Sequence, residues 1–539
     1  MDITEQLKLN IQNSCKKLGV DVGLSDIIIE HSRDEAHGDY ATNAAMKLCR
    51  LFGKAPRDVA NSIIENLDMS NIEKVEIAGP GFINFFMKHD SLQQIVEKII
   101  NEGEKFGRAE RKNIKIDVEF VSANPTGLLH VGTARGAAYG DSLSRILDAA
   151  GYDVTREYYI NDAGVQITHL GESVMARYQE LLGLPFVLPE DGYHGDDVIE
   201  VAKQIRREEG DKVLERPDAL EFFKQRGMEI ELARIKDHLN IFRVNFDVFS
   251  SEKKIRSGNA VEKEIKFLKK YTYESNGAVF LKTTDFLDDK DRVIVKSDGD
   301  YTYFLPDICY HVNKMSRGFD QLIDVLGADH HGYINRMKSA LMMHGYKPEC
   351  LDIELIQMVR FIKDGEEFKA SKRRGDAITL IDVCEEVGVD AMRYFFAMRD
   401  PKGHLDFDMN LAIEQSSNNP VYYAQYAHAR LCSILEQGKD IAIDVKGSKL
   451  EKGSEIALLK QLASFPNVVQ DAAREKAPYK ITNYIRELAE SVHAFYAECR
   501  VIDRDQLEVS ASRLALCKAS QQVIKNALDL VGVSAPEHM

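Results

Sequence analysis

Ile114-Lys115-Ile116-Asp117-Val118-Glu119-Phe120-Val121-Ser122-Ala123-Asn124-Pro125-Thr126-Gly127-Leu128-Leu129-His130-Val131-Gly132-Thr133 is the stretch of this 539-residue sequence that decides its fold. Ile114, Ile116, Val118 and Phe120 alternate with Lys115, Asp117 and Glu119, the period of a strand. A loop, Ser122 to Leu129, follows. Ala134 to Ala150 then reads as a helix and Tyr152 to Ile160 as a second strand. This is one βαβ unit, and it predicts an α/β fold with a parallel sheet. In such sheets ligands bind at the loop after a strand. No Gly-x-Gly-x-x-Gly or Walker pattern occurs in this loop. Instead His130 opens the helix, with Gly132 two residues on. A helix N-terminus favours an anion, and an imidazole can donate to phosphate oxygens. His130 can equally cap the helix, and His-x-Gly alone does not separate the two readings.

Outward from this unit, residues 1–108 mix helical and strand patterns, with strands expected around Gly79-Pro80-Gly81. The charged stretch Glu104 to Lys112 reads as a linker. Residues 113–375 continue the α/β pattern, with strands at Ile323 to Leu326 and Ile353 to Phe361. Charged helical stretches within about 171–290 read as an insertion. Thr379-Leu380-Ile381-Asp382 has a capping-box pattern that opens a helix through Met398, within a connecting segment 376–410. Residues 411–539 are helical, with a loop at Lys446 to Ser454.

Composition sets further bounds. Hydrophobic residues are 44% and charged residues 29%, ordinary for a globular protein. No apolar run reaches the roughly 18 residues of a membrane span. The N-terminus lacks the basic-then-apolar run of a signal peptide. The eight cysteines form no Cys-x-x-Cys pair, which points to reduced thiols and a cytoplasmic location. The net charge of −16 excludes a generally basic nucleic-acid coat, but not a local basic surface. Residues 171–220 hold 12 acidic and 6 basic residues, so the insertion's helices are expected to face solvent.

A second element is Phe368-Lys369-Ala370-Ser371-Lys372-Arg373-Arg374-Gly375, in which four of the six residues from Lys369 to Arg374 are basic. Lysines on a loop suit the charge that develops on a reacting α-phosphate and on departing pyrophosphate. A lone run of this kind is also simply a solvated loop. Taken together, His130-Val131-Gly132-Thr133 and Lys369-Ala370-Ser371-Lys372-Arg373 resemble the paired HIGH and KMSKS signatures of class I aminoacyl-tRNA synthetases. Further stretches narrow the resemblance to the arginyl-tRNA synthetase family. They are residues 122–127, Glu157 to Gly164, Tyr301 to Ile308, Gly327 to Gly332 and Asn419 to Arg430. His37 to Asn43 and Gly79 to Phe82 resemble that family's extra N-terminal domain. Thr133 departs from the second His of the signature and Ala370 from its Met; a hydroxyl still donates to phosphate, and both lysines remain.

The resemblance implies a Rossmann-like catalytic domain with an insertion, an α+β N-terminal tRNA-contacting domain and an all-α anticodon-binding domain. It implies L-arginine, ATP with Mg²⁺ and tRNA(Arg) as substrates and partners, in a chain expected to be monomeric with no resident metal site. His130, Thr133, Lys369 and Lys372 would be catalytic. His130, Gly132, Gly327, Asp329, His330, Lys369, Ser371 and Lys372 would bind ATP. Adjacent side chains such as His330 and His331 do not converge as metal ligands do. A guanidinium carries five donors and needs convergent acceptors. By resemblance Asp307 would take it, with Tyr303 packed beside it, while Glu119, Ser122, Asn124 and His130 complete the arginine site. On alternation alone Glu119 is an outward strand position, and Asp307 a helix cap after Pro306. Tyr422, Tyr426, Arg430 and Met539 would contact tRNA, although an aromatic stripe of this spacing also suits a core. Rival readings are another class I nucleotidyl-transferring ligase and a tRNA-binding paralogue without catalysis. A cysteine-type enzyme would need zinc ligands that the Cys spacing does not offer. Retained Glu119, Asp307, Lys369 and Lys372 speak against the paralogue.

Overall fold

The computed structural model describes residues 3–539, apart from 33–36, 258 and 369–377. Five parallel strands form the central sheet: β1 (Lys115–Glu119), β2 (Asp153–Ile160), β3 (Val248–Ser251), β4 (Gln321–Gly327) and β5 (Leu351–Ile356), in the order β5-β4-β1-β2-β3. Helix α1 (Ala134–Ala149) crosses between β1 and β2, and α2 (Phe304–Ser316) precedes β4. Ile116, Val118 and Phe120 join the main apolar core with α1. The other face of β1 is also covered: Asp117 is fully buried and Glu119 is 8% exposed. The alternation that reads as an outward face is thus a polar inner face, because helices cover both sides of a parallel sheet.

Gly140 of α1 lies over β1, where an added Cβ would sit 2.3 Å from the Phe120 ring. Overpacking of this kind costs about 1–3 kcal/mol, more than the roughly 1 kcal/mol a helix gains from Gly→Ala. Gly140→Ala is therefore expected to lower the urea midpoint, followed by circular dichroism since the chain has no Trp. An unchanged or higher midpoint would show that Phe120 moves aside freely.

Further sequence expectations need correction. The interruption at 171–290 comes in two pieces, because β3 lies inside it and returns to the central sheet beside β2. The first piece is helical: Val165–Leu181, Asp196–Glu209 and Ala219–Ile241, around their own apolar cluster. The second carries a small antiparallel sheet, Thr272–Ser275, Ala278–Leu281 and Arg292–Val295. The strand expected at Ile353 to Phe361 is two strands in two sheets. After β5 the chain bends at Gln357, and Val359–Lys363 pairs with Glu366–Glu367 and Leu405–Asp408. The helix expected to Met398 breaks at Gly388 (φ +84°), although its Thr379–Asp382 capping box is present.

The expected linker at Glu104 to Lys112 is a packed strap. Phe106 is buried against Phe465, ring centroids 6.2 Å apart, and Asn526 donates to Phe106 O. Residues before it form a four-stranded antiparallel sheet with helices. Asp39, which accepts from Met87 N, also pairs with Lys460 at 2.6 Å and so ties this sheet to the C-terminal helices. Those helices are α3 (Pro420–Gln437), α4 (Gly453–Arg474), α5 (Tyr479–Glu498) and α6 (Leu507–Leu530).

The domains are locked at a buried charged joint. Arg393 is fully buried and donates to Asp141 of α1 (2.5 Å), to Phe242 O and to Val531 O just past α6. Nearby, Asp390 accepts from Ser534 N and from Gln425 of α3, and pairs with Arg243.

Candidate active site

The site grows from the C-terminal edge of the sheet. Register places Asp324, Glu119 and Glu157 side by side on β4, β1 and β2. Asp117 lies two residues back on β1, on the same face. One face of α2 answers this row with cations. Lys314, with no exposed surface, places Nζ 2.5 Å from Glu119, 3.0 Å from Asp117 and 3.1 Å from Asp324. His311 Nε2 lies 2.7 Å from Asp324, Arg317 pairs with Glu157 at 2.5 Å, and Tyr310 donates to Glu157. Burial opposes charge on Asp324, but Lys314 and His311 prevail and hold its carboxyl well below the usual range. Burial likewise opposes the Lys314 ammonium, yet the surrounding carboxylates raise its pKa well above normal.

Beyond β1 the chain turns sharply. Val121 (φ +69°) and Ser122 (φ +40°) are both left-handed, which is costly for non-glycine residues and marks a strained, held loop. The turn brings Ser122 Oγ back to donate to Glu119 Oε1 (3.0 Å) while it accepts from Tyr159 N. Asp307 sits in the first turn of α2 and is not its cap; Tyr303 holds that position. Burial pushes Asp307 up to about 7, with Glu119 and Glu252 adding to the effect and His311 and the Tyr333 hydroxyl opposing it. Among the described residues no cation pairs with Asp307. Glu252 is buried, and its pKa is raised by that burial. The Asn161 carboxamide lies between Glu252 and Asn124. Tyr159 packs on Tyr310 at 4.5 Å and feels Glu252, Asp307 and Glu119. The result is a cluster of carboxylates packed among tyrosines. Tyr303, expected beside Asp307, is 83% exposed and does not pack there.

Next to it a cleft of about 780 Å³ runs past Asn124, Gly127, His130, Phe368 and Ile378. His130 does cap: its Nδ1 accepts from Gly132 N at 2.9 Å, which leaves the ring proton on Nε2. Thr133 Oγ1 donates to His130 O at 2.5 Å, so its proton is engaged locally rather than offered to a phosphate. Val131 N donates to Ile378 O and Leu380 N to Leu129 O. The first signature is thereby stitched to the chain just beyond the second; Lys369, Ser371 and Lys372 themselves lie outside the described residues. Arg135, buried one turn along, binds the carbonyls of Gln357, Asp400 and Gly403 and anchors the small sheet that precedes that segment. Gly327 ends β4, and Asp329 and His330 follow it exposed, 3.8 Å apart. The insertion's Asp196 and Asp197 line the cleft, so part of its acidic charge faces the site instead of solvent. Among the described residues no three His, Cys, Asp or Glu side chains converge as a metal site.

Three family models match the chain: the arginyl tRNA synthetase N terminal domain over residues 5–87, the class I (R) tRNA synthetase catalytic domain over 95–432, and the DALR anticodon binding domain over 424–539. The chain belongs to the arginyl-tRNA synthetase family. Relatives of that family include the arginine–tRNA ligases of Geobacillus thermodenitrificans, 50% identical over 99% of each chain, and Bacillus subtilis, 48% identical over 100% of each. A solved Campylobacter jejuni structure described as an arginyl-tRNA synthetase is 34% identical, with a TM-score of 0.78 over 84% of this chain and 100% of that one. The Thermus thermophilus arginyl-tRNA synthetase, 22% identical over the full length of both chains, shares the fold at a TM-score of 0.78.

A surface of a different kind lies on α3 and α5, at and just before the residues that match the DALR model. Tyr422 and Tyr426 stack at 6.2 Å, and Tyr426 stacks on His493 of α5 at 6.1 Å. With Ser417 and Tyr423 they line a groove of about 310 Å³. Tyr426 is 41% exposed while Val421, Ala424 and Ala429 face the core, so the stripe is a half-open platform and not core. Arg430 lies over the Tyr496 ring and bonds its hydroxyl. Met539 is exposed.

Sequence reasoning missed Lys314, His311, Asp324, Asp117 and Glu252. One signal was present: His311, Lys314 and Arg317 recur at the spacing of one helix face, next to a strand with carboxylates on alternate positions.

Proposed function

We propose that this chain is an arginine–tRNA ligase, which joins L-arginine to tRNA(Arg) through an arginyl-adenylate. The observation that carries the reading is the carboxylate cluster of the buried Glu119 and Glu252 and the half-buried Asp307, in which Asp307 forms no salt bridge among the described residues. A guanidinium supplies the missing charge and enough donors for several carboxylate oxygens. Asn124 and Ser122 would orient the amino-acid head. An arginine carboxylate oxygen then attacks the α-phosphorus of ATP, the bond to the bridging oxygen breaks, and pyrophosphate leaves. His130 Nε2, with Lys369 and Lys372, would steady the phosphates as charge develops, while Gly132, lacking a side chain, leaves them room beside the backbone. Gly327, Asp329, His330 and Ser371 would hold the rest of ATP, with Mg²⁺ arriving as the ion of the nucleotide. In the second step the 2′-hydroxyl of the terminal adenosine attacks the arginyl carbonyl and AMP departs. Most of the rate enhancement comes from positioning. A cytoplasmic site of action follows from this role.

Exchange of labelled pyrophosphate into ATP, with and without tRNA(Arg), tests the reading. Arginine-dependent exchange is expected, and its absence under both conditions would refute it. The aromatic groove on α3 and α5 is the natural place for unstacked anticodon bases, since stacking is worth about 1–3 kcal/mol per base. Tyr426→Ala is therefore expected to weaken tRNA(Arg) binding by about tenfold in a filter assay, with the KM for ATP unchanged. Equal binding by both proteins would remove the groove from the tRNA path.

A further inference from the structure

Among the described residues Lys314 is the one group that touches three of the four carboxylates at the sheet edge. We propose that Lys314 is a positioning residue for arginine: it fixes the rotamer of Glu119 and supplies the counter-charge that lets the pocket accept a single cation. The inference rests on the reading of the pocket given above. Glu119 is held from two sides, by Lys314 Nζ on Oε2 and by Ser122 Oγ on Oε1. Lys314 is held in turn by Asp117 and Asp324, and Asp324 by His311. The set therefore acts as a rigid chain from the interior of the sheet to the pocket wall. Buried ion pairs are weak sources of stability compared with apolar side chains of the same size. Their value here is geometric, because a carboxylate gripped at both oxygens offers its remaining lone pairs in one direction only.

The groups facing Glu119 are the following. Tyr310, His311 and Lys314 come from α2, Asp324 from β4, and Glu157 and Tyr159 from β2. Asp117 shares its strand, and Asp307, Glu252 and Tyr333 come from the pocket. Without the ammonium, the cations left to oppose this charge among the described residues are His311, Arg317 and Arg256, which pairs with Glu252, so protons stay on the carboxylates to higher pH.

Lys314→Met in the full-length enzyme is the test. The KM for arginine is expected to rise about 30-fold or more while the KM for ATP stays within about twofold. The acid limb of kcat/KM for arginine is expected to move up by about one pH unit. A rise in both KM values together, or an unmoved pH profile, would overturn the proposal. If Lys314→Met does not fold, Asp324→Asn decides, since it is isosteric and leaves Lys314 in place. It should raise the arginine KM several-fold and leave that for ATP alone, and an unchanged arginine KM overturns the proposal. Wild-type enzyme without any arginine-dependent exchange would instead sink the underlying reading of the pocket.

Discussion

Asp307→Asn is expected to raise the KM for arginine by about 100-fold or more while the KM for ATP changes little, in the same pyrophosphate-exchange assay. Losing one partner of a buried, hydrogen-bonded charge pair costs about 2–5 kcal/mol, and each 1.4 kcal/mol is roughly tenfold. The substitution keeps the size of the side chain and its bond to Tyr333, so the loss reports charge alone. The wild-type pH dependence follows from the same group. In the empty pocket the Asp307 carboxyl sits at about 7, chiefly through burial. Arginine needs it ionised, so affinity is full above pH 7 and declines as pH falls through that value, by up to about tenfold per unit. For the empty enzyme the sign is opposite. The folded state holds this proton more tightly than the unfolded chain does, and that contribution to stability is lost as pH rises through 7. Asp307→Asn should flatten the arginine KM profile between pH 6 and 8. A profile as steep as the wild type's would assign the titration to another group.

The second large effect concerns the joint between domains. Arg393→Met is expected to destabilise the protein by about 3–5 kcal/mol, because it strands Asp141 with Arg145 alone and leaves the carbonyls of Phe242 and Val531 without this donor. The midpoint of urea unfolding by circular dichroism measures it. A shift below about 1 kcal/mol would mean that water replaces the guanidinium. Gly532 makes the same point from the other side. It has φ +67°, and a Cβ there would sit 2.2 Å from the Arg393 guanidinium.

What was legible in the sequence is local. The period-two run from Ile114 to Phe120, the loop after it and the capping box at Thr379 each depend on residues within one turn or one strand, and all three are present. The strand Val248–Ser251 was hidden because it is four residues long and flanked by charged helices. Gln357-Met358 carries no turn residue, so the passage from one sheet to another had no mark. On alternation Glu119 read as outward because a lone strand cannot reveal that a helix covers its polar side. Lys314 was silent for the same reason, as its partners come from β1 and β4. Tyr303 shows the converse: it matches a family stretch, yet its ring faces solvent in this structure.

The joint at Arg393 also bears on how the chain is made. A ribosome delivers Asp141, Phe242 and Arg393 well before Val531 and Ser534, yet the guanidinium and Asp390 are satisfied only when those last residues arrive. A nascent chain that stops short of residue 531 holds a buried cation with one of its acceptors missing, on a core that α6 has yet to seal. Final closure of the catalytic region therefore waits for Val531 and Ser534, and chains truncated before Val531 are the ones that chaperones and proteases would meet.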